Sequence, residues 1–461
     1  MNKPNNTVKD LIGKGRFRYR VLDEEVSGSD LLELKADELS TMHPADLAER
    51  MDELQISEQI QLIRILPVDH AAEVITELEE EEQHLLAKGL MPSRLSSILE
   101  SMPPDEAADI LGLMPQEKME DILHQMQEES REETLELLSH PEDSAGGVME
   151  KELVDFRPET TAMQALQSIR ETFESSDFLS YIYITNAENE LVGVLSLKEL
   201  ILSKSDSTLG EIMSSDPVSV STEEDQEKVA YLATKYSLQA IPVVSESNKL
   251  VGIVSADDIT EIIEEEHKED MYRMAGVHED SGIYANPVRA AVLRFPWLIA
   301  TVAGGMIAAQ IIESNKVVDH IWLLSFSPLI LGLAGNVAIQ TSTIIIRNLS
   351  TRQFSQPLSF RYLYKEAYTG IVLALLCGVT LGVLVTILHG SMDKGVTLGV
   401  ALFSVILISI LSSILIPLSF NKFNIDPAIA SGPLVTTVID VAGLFIYFQC
   451  AYLILARFFS P

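Results

Sequence analysis

GPLVTTVIDVAGLFIYFQCAYLILA, residues 432–456, is apolar for long enough to cross a lipid bilayer and contains one acidic residue, Asp440. A membrane-spanning helix needs roughly 20 predominantly apolar residues. Four further segments meet this requirement, approximately 291–312, 321–346, 367–388 and 396–420. The sequence therefore predicts a five-span α-helical transmembrane domain.

Charge divides the chain into two parts. Residues 1–280 hold 62 Asp and Glu against 23 Lys and Arg, and residues 281–461 hold 6 against 10, so the net charge of -35 splits into -39 and +4. This segregation predicts acidic soluble domains followed by a membrane domain. So anionic a surface favours cations as partners and disfavours nucleic acid. Cys377 and Cys450 lie in apolar stretches, so no disulfide framework is predicted and the soluble part is predicted to be cytosolic.

The basic residues predict the orientation in the membrane. Arg289 and Arg294 precede the first span, and Arg347 and Lys365 lie between the second and third spans. Because Lys and Arg are kept on the cytoplasmic side, we expect the acidic domains in the cytoplasm. An odd number of spans then places the C terminus outside, in a multi-pass protein of the cell (inner or plasma) membrane that contacts lipid.

Asp440 is the informative residue of the last span, because a carboxylate at mid-bilayer costs at least ~2.5 kcal/mol. Thr436 shares its face one turn earlier. The carboxylate could pair with a basic residue of a neighbouring span, could be protonated and hydrogen-bonded, or could serve a cation pathway. No Lys or Arg lies mid-span, which favours the pathway.

The second span contains GLAGNVAIQTSTIIIRNL, in which Asn336 and Gln340 present two amides on one helix face. Ordinary helix packing through small residues is the alternative to pore lining. Together with Asp440, the amides favour a pore. Pro417, Pro427 and Pro433 are expected to interrupt the helix near Asp426, at the cytoplasmic mouth. The predicted pore residues are Asn336, Gln340, Asp426, Gly432, Thr436 and Asp440.

One Asp per chain makes a sparse cation site, whereas two copies across a two-fold axis make a ring. Oxygen donors without His, Cys or Met favour Mg2+ or Ca2+. Mg2+ keeps several of its waters and suits such sparse coordination.

The soluble part contains an internal repeat. LVGVLSLKEL, residues 191–200, recurs as LVGIVSADDI, residues 250–259, and each copy follows a β-rich run. The pattern resembles tandem CBS domains, which pair into a Bateman module. Ser255 and Asp258 stand in the G-x-x-S-x-x-D order that can hold an adenosine ribose and phosphate in that family, although many copies bind nothing. ATP is therefore a candidate ligand.

Two helical regions flank the repeat. HPADLAERMDEL, PVDHAAEVITEL and PPDEAADILGLM each begin with Pro and an acidic first turn, which predicts a short helical solenoid. DDITEIIEEEHKED, residues 257–270, predicts an acidic helix before the first span. Two carboxylates about 6 Å apart repel by ~3 kcal/mol at an effective dielectric of 20. Bridging cations would relieve this repulsion, which predicts a cation-operated switch; a merely solvated helix face is the alternative.

The whole arrangement, with GLAGNVAIQTSTIIIRNL and DPAIASGPLVTTVID, resembles the MgtE family of magnesium channels. The resemblance implies a homodimer of five-span subunits with the pore on the dimer axis and the acidic helix as a plug. It implies that Asp440 recognises hydrated Mg2+ near Asn336 and Thr436, and that cytosolic Mg2+ closes the pore. Relatives with Ala at position 436 have a different pore lining.

The resemblance also assigns carboxylates that bind gating Mg2+. On the second CBS domain and the plug helix they are Asp258, Glu261, Glu266, Glu269 and Asp270. A further CBS pair is Asp225 and Glu227, and the helical domain contributes Glu73, Asp105 and Asp109. Ser237 replaces an acidic residue of some relatives, so a cation site there is expected to be weaker or missing.

The predicted fold is therefore mixed. It comprises an all-α superhelical domain (1–140), two CBS domains of α/β type (141–203 and 204–262), an acidic plug helix (263–288) and the five-helix pore domain (289–461).

Three other functions are alternatives to a Mg2+ channel. A membrane-embedded metalloprotease needs an H-E-x-x-H pair within a span, and His320 and His389 lie at span ends without one. An ATP-driven pump needs a phosphate-binding loop that IGKGRF does not match. A secondary carrier for Mg2+, Mn2+ or Co2+ with nucleotide sensing is the remaining alternative. No enzymatic activity is predicted.

Overall fold

The computed structural model describes residues 39–51, 54–151, 153–172, 180–278, 287–314, 321–350, 360–423, 425–430 and 432–458. Residues 1–38 of the predicted helical domain and 279–286 of the predicted plug segment lie outside these ranges. The chain divides into two compact units, Met1–Glu264 and Glu265–Pro461.

The first unit begins with short helices that confirm the predicted superhelical domain. Each helix packs on the helix two positions along the chain, so the stack builds one continuous apolar core. Pro and acidic residues occupy the first turns, where a missing N–H costs nothing and a negative charge is favoured. The helices are α1 (Pro44–Met51), α2 (Ile56–Ile65), α3 (Val68–Thr76), α4 (Glu80–Gly89), α5 (Pro92–Leu99), α6 (Pro104–Gly112), α7 (Gln116–Leu123) and α8 (Glu128–Leu137).

The first CBS repeat contains a sheet in the order β1-β2-β3-β4, in which β1 is parallel to β2 and the other pairs are antiparallel. Strand β3 alternates buried and partly exposed residues, as a half-buried strand should. The elements are β1 (Asp155–Phe156), α9 (Ala162–Thr172), β2 (Tyr181–Thr185), β3 (Leu191–Ser196), α10 (Leu197–Leu202), α11 (Leu209–Ile212) and β4 (Ser214–Ser215).

The second repeat reproduces this pattern with the sheet order β5-β6-β7. The two repeats are joined reciprocally, because the Leu191 N–H donates to the Asn248 carbonyl and the Leu250 N–H donates to the Asn189 carbonyl, both at 3.0 Å. This pairing confirms the tandem CBS prediction. The elements are β5 (Val220–Ser221), α12 (Gln226–Tyr236), β6 (Ala240–Val244) and β7 (Leu250–Ser255).

Helix α13 (Ala256–Ala275) follows β7 directly and carries the acidic run. It stops before Gly276, whose φ of +69° glycine adopts without strain. The Val277 N–H donates to the Tyr272 carbonyl at 2.9 Å and closes the last turn.

The second unit contains, within the described residues, five helices long and apolar enough to cross a membrane. They are α14 (Pro287–Ser314), α15 (Ile321–Ser350), α16 (Phe360–His389), α17 (Met392–Lys422) and α18 (Gly432–Phe458). The five predicted spans are confirmed, and each helix extends beyond its apolar segment. The prediction for Pro417 was wrong, because α17 continues through it to Lys422. Membrane helices tolerate an internal proline when neighbouring helices satisfy the freed carbonyl.

Helices α16 and α17 pack through glycines. A Cβ on Gly378 would lie 2.7 Å from the Gly399 carbonyl oxygen, and one on Gly382 would lie 3.0 Å from the Gly395 carbonyl oxygen. Small residues therefore let these two backbones touch. Helix α14 is apolar and largely exposed, as is one face of α16, which suits contact with lipid.

Candidate cation sites

A cluster of carboxylates in the first unit is assembled from three separate segments. The first turn of α6 supplies Asp105 and Glu106, the segment before β1 supplies Glu150, and the start of α13 supplies Asp257 and Asp258. Within the described residues, one group of three has carboxylate oxygens that all lie within 4.8 Å of one another, namely Glu150, Asp257 and Asp258. Carboxylate oxygens at this spacing suit a hard divalent cation.

Glu150 is fixed by its backbone. Its N–H donates to the Ile253 carbonyl at 2.8 Å, and the Ile253 N–H donates back at 2.9 Å. The approach is possible because residue 252 is glycine, since a Cβ there would lie 2.7 Å from the Glu150 carbonyl oxygen. The segment before β1 is thereby held against β7, which ends beside Asp257 and Asp258.

Ser255 holds the two aspartates in place. Its hydroxyl lies 2.5 Å from Asp257 Oδ1 and 2.5 Å from Asp258 Oδ2, and its N–H donates to Asp258 Oδ2 at 2.9 Å. Ser255 and Asp258, the two residues predicted to hold a nucleotide, are therefore hydrogen-bonded to each other. Their placement beside Glu150 makes Asp258 common to the predicted nucleotide site and to the carboxylate cluster.

The carboxylates of the cluster raise one another's pKa, because each negative charge disfavours ionisation of its neighbours. Burial and the nearby Asp258 raise the pKa of Asp105 to about 7. Burial and Glu261 raise the pKa of Glu106 to about 9, and burial and Asp258 raise the pKa of Glu150 to about 8. Within the described residues these three form no salt bridge. The cluster therefore favours protons or cations.

Asp105 shows this most clearly. Its side chain is buried, and its Oδ1 atom has no hydrogen-bond partner among the described residues. A buried acceptor without a donor is costly, and a bound cation would satisfy it.

The remaining predicted gating residues of the first unit lie elsewhere. Glu73 is exposed on α3, where its carboxylate lies 3.5 Å from His70 Nδ1. Asp225 caps α12 by accepting from the Glu227 N–H at 2.9 Å, a structural role independent of metal. Ser237 ends α12 with φ +54°. Asp109 lies one turn after Asp105 on α6, close enough to raise the pKa of Glu106, and Glu261 lies one turn after Asp257 on α13.

The later part of α13 belongs to the second unit and carries Glu266, Glu269 and Asp270. Glu269 forms an ion pair with Arg273 on the next turn. Arg273 also contacts Asp426, with Nη1 to Oδ2 at 2.5 Å. Asp426 therefore has a basic partner, a contact that the sequence did not predict.

Asp440 is partly buried on α18, and among the described residues it has neither a salt bridge nor a hydrogen bond. Thr436, one turn before it, donates to the carbonyls of Gly432 at 3.0 Å and Pro433 at 3.1 Å. Fixed pairing with a basic residue is thus not observed within the described part of the chain.

Asn336 and Gln340 lie with Gly332 and Thr343 on one exposed stripe of α15. A Cβ on Gly332 would meet nothing within 4 Å. Packing against other helices of the same chain therefore does not require a glycine at position 332. The side-chain amides of Asn336 and Gln340 are exposed on the single chain.

Comparison with known proteins decides the family. A family model described as "Divalent cation transporter" (MgtE) matches residues 327–450. The models "MgtE intracellular N domain" and "CBS domain" match residues 42–143, and 145–205 and 209–265, respectively. The chain is similar to the magnesium transporter MgtE of Thermus thermophilus, with 34% identity over 427 residues that cover 90% of this chain and 94% of that protein. The chain belongs to the MgtE family.

A second MgtE relative is the magnesium transporter MgtE of Bacillus subtilis, 32% identical over 415 residues that cover 90% of this chain and 92% of that protein. Among solved structures, the crystal structure of the cytosolic domain of the Mg2+ channel MgtE in complex with ATP matches with 32% identity and a TM-score of 0.48. It covers 56% of this chain and 98% of that one. The chain is thus a multi-pass membrane protein of a magnesium-transporter family, and this family is not one of enzymes.

Four residues at these sites were not predicted from the sequence. Glu106 and Asp257 are neighbours of predicted residues, so an acidic pair at each position was visible in the sequence. Glu150 and Arg273 had no such signal, because their partners are distant along the chain and only the fold brings them together.

Proposed function

We propose that the protein is a Mg2+ channel whose pore runs along the axis of a homodimer and passes Asp440. The observation that carries this proposal is the carboxylate of Asp440, which lies within a membrane helix and has no basic or hydrogen-bonding partner among the described residues. Such a group is costly in hydrocarbon and is retained where an ion passes.

The polar stripe of α15 supports the pore. Asn336 and Gln340 are exposed on a single chain, and amides facing lipid tails are unfavourable. A second copy related by a two-fold axis would enclose the stripe and double the carboxylates. Asp440, Thr436 and the amides would then contact Mg2+ through its retained waters. The N-terminal domains face the cytoplasm and the C terminus the outside.

The carboxylate cluster is the proposed sensor. Cytosolic Mg2+ would bind Asp105, Glu150 and Asp258 and thereby hold the helical domain against the second CBS domain. Four further carboxylates would lie beside these ligands, namely Glu106, Asp109, Asp257 and Glu261. The Mg2+-bound state closes the pore through α13, whose Glu266, Glu269 and Asp270 are proposed to bind further Mg2+. Glu73, Asp225 and Glu227 remain proposed secondary ligands.

Nucleotide binding is a finer proposal for the same region. The hydroxyl of Ser255 and the carboxylate of Asp258 present the groups that hold a ribose and phosphate, and ATP would tune the sensor through them.

The test is Mg2+ flux into proteoliposomes without a second ion gradient. We expect wild type to pass Mg2+ at channel rates and Asp440→Asn to abolish the flux while the dimer still assembles. Asp393→Asn, at the first turn of α17, removes one carboxylate from the end of a span and is the matched control. Normal flux through Asp440→Asn removes the pore assignment, and flux that needs a Na+ or H+ gradient establishes a carrier instead.

A further inference from the structure

The end of α13 meets α18 and the segment that leads into it at three points, all within the second unit. Arg273 pairs with Asp426. The Met274 carbonyl lies so close to Gly432, where φ is +44°, that no Cβ fits between them. A Cβ on Gly276 would lie 2.8 Å from Pro433 Cγ. Two glycines with positive φ thus let the backbone of one helix end touch the other.

The contact between Arg273 and Asp426 is the only one of these three that joins charged side chains. The Arg273 guanidinium binds Glu269 on its own helix and Asp426 on the opposite side, and the three side chains are 39%, 22% and 25% exposed. A planar guanidinium can serve two carboxylates at once, which a lysine ammonium does less well.

Asp426 extends the connection into the pore helix. Its Oδ2 contacts Arg273, while its Oδ1 accepts from the Ala428 N–H at 2.8 Å. That second bond caps the 3-10 turn Pro427–Ala430, which leads into α18. The Asp426 carboxylate therefore joins the end of α13 to the 3-10 turn that precedes α18.

We propose that Arg273 is a positioning residue of the gate: its pair with Asp426 passes a displacement of α13 to α18, the helix that carries Asp440. The inference rests on the proposed function, because it gives the acidic helix a specific point of attachment to the pore. Without the pair, the backbone contacts alone hold the two helix ends together, and Mg2+ bound elsewhere on α13 closes the pore less effectively.

The test is a double-mutant cycle in the full-length protein. Arg273→Gln removes the cation, and Asp426→Asn removes the charge but keeps an oxygen for the Ala428 N–H. Single-channel currents are recorded while cytosolic Mg2+ is stepped upward. We expect each single variant to raise the half-closing Mg2+ concentration about five-fold or more, and Arg273→Gln to leave the conductance unchanged. The double variant should shift no further, because the two residues act as one pair.

Lys422→Gln removes an exposed positive charge from the end of α17 and is the matched control, for which we expect the wild-type half-closing concentration. Additive shifts in the cycle, or a wild-type response of Arg273→Gln, would overturn the inference. A wild type that carries no Mg2+ current contradicts the proposed function instead.

Hydrogen exchange provides a readout independent of transport. In Arg273→Gln and Asp426→Asn, the amides of residues 271–277 and of the turn at 428–430 should exchange faster than in wild type or Lys422→Gln. Equal exchange in all four proteins would refute the coupling.

Discussion

Glu150 and Asp258 place carboxylate oxygens within 4.8 Å of one another although they come from different domains of the chain. The contact depends on backbone hydrogen bonds between Glu150 and Ile253, so it is built into the fold. Two like charges held together in this way raise the free energy of the cation-free state, and that energy is released when a cation binds between them.

At pH 9, above the folded pKa of about 8 of Glu150, Glu150→Gln should therefore raise the melting temperature of the protein without Mg2+ and reduce the increase in melting temperature that Mg2+ produces. The first effect follows from lost repulsion and the second from a lost ligand. Thermal unfolding of the full-length protein in detergent, with and without Mg2+, measures both. Glu188→Gln, on an exposed turn of the first CBS repeat, should change neither. An undiminished Mg2+ response of Glu150→Gln would exclude this carboxylate from the sensor.

Gly252→Ala should weaken the Mg2+ response without removing any carboxylate. The new Cβ would lie 2.7 Å from the Glu150 carbonyl oxygen, so the segment that carries Glu150 must shift. We expect a smaller Mg2+-dependent rise in melting temperature and a destabilisation of about 1–3 kcal/mol, typical of overpacking. A variant that matches wild type in both measurements would show that the cluster tolerates a displaced Glu150.

Stability without Mg2+ should fall as the pH rises. The folded pKa values of about 7 for Asp105 and about 9 for Glu106 lie above the ordinary values of 3.8 and 4.5. The folded state thus holds more protons than the unfolded state between about pH 4 and pH 9, and stability present at the acid end is lost across that window.

Unfolding melts from pH 5 to pH 9, with and without Mg2+, check this prediction. Mg2+ should flatten the pH dependence because it replaces the protons. Asp105→Asn with Glu106→Gln should reduce the pH dependence without metal and leave the part that comes from Glu150, whose folded pKa is about 8. An undiminished pH dependence in this double variant would place its origin elsewhere.

Gly399→Ala should destabilise the membrane unit by about 1–3 kcal/mol. Its Cβ would lie 2.6 Å from the Gly378 carbonyl oxygen, between two helices in backbone contact. Gly305→Ala is the control, since its Cβ would meet nothing within 4 Å. Thermal stability in detergent measures the difference, and equal stability of the two variants would contradict the close packing of α16 and α17.

The sequence was sufficient to predict the membrane helices and the CBS repeats but not the contacts between them. Apolar length predicted all five membrane helices, and the recurrence of LVGVLSLKEL as LVGIVSADDI predicted the CBS pair, because both signals are local. The interruption predicted at Pro417 was wrong, because α17 continues through this residue.

The sites divide in the same way. Asp105 and Asp258 were predicted from resemblance, and the fold brings them together. Asp225 stays a predicted metal ligand, and the structure adds that its carboxylate caps a helix, a role that any Asp before a helix can take. Glu150 and Arg273 depend on pairings across long stretches of chain, which periodicity does not report.

The lengths of the membrane helices also bear on the bilayer around them. The apolar segments of α16 and α17, residues 367–388 and 396–420, have 22 and 25 residues, which at 1.5 Å per residue makes them about 33 Å and about 38 Å long, against a hydrocarbon thickness of about 30 Å. Their apolar stretches must tilt or stretch the surrounding lipid. Because these two helices touch through glycines, they tilt together as one hairpin, and we expect transport to vary with the acyl-chain length of the host membrane.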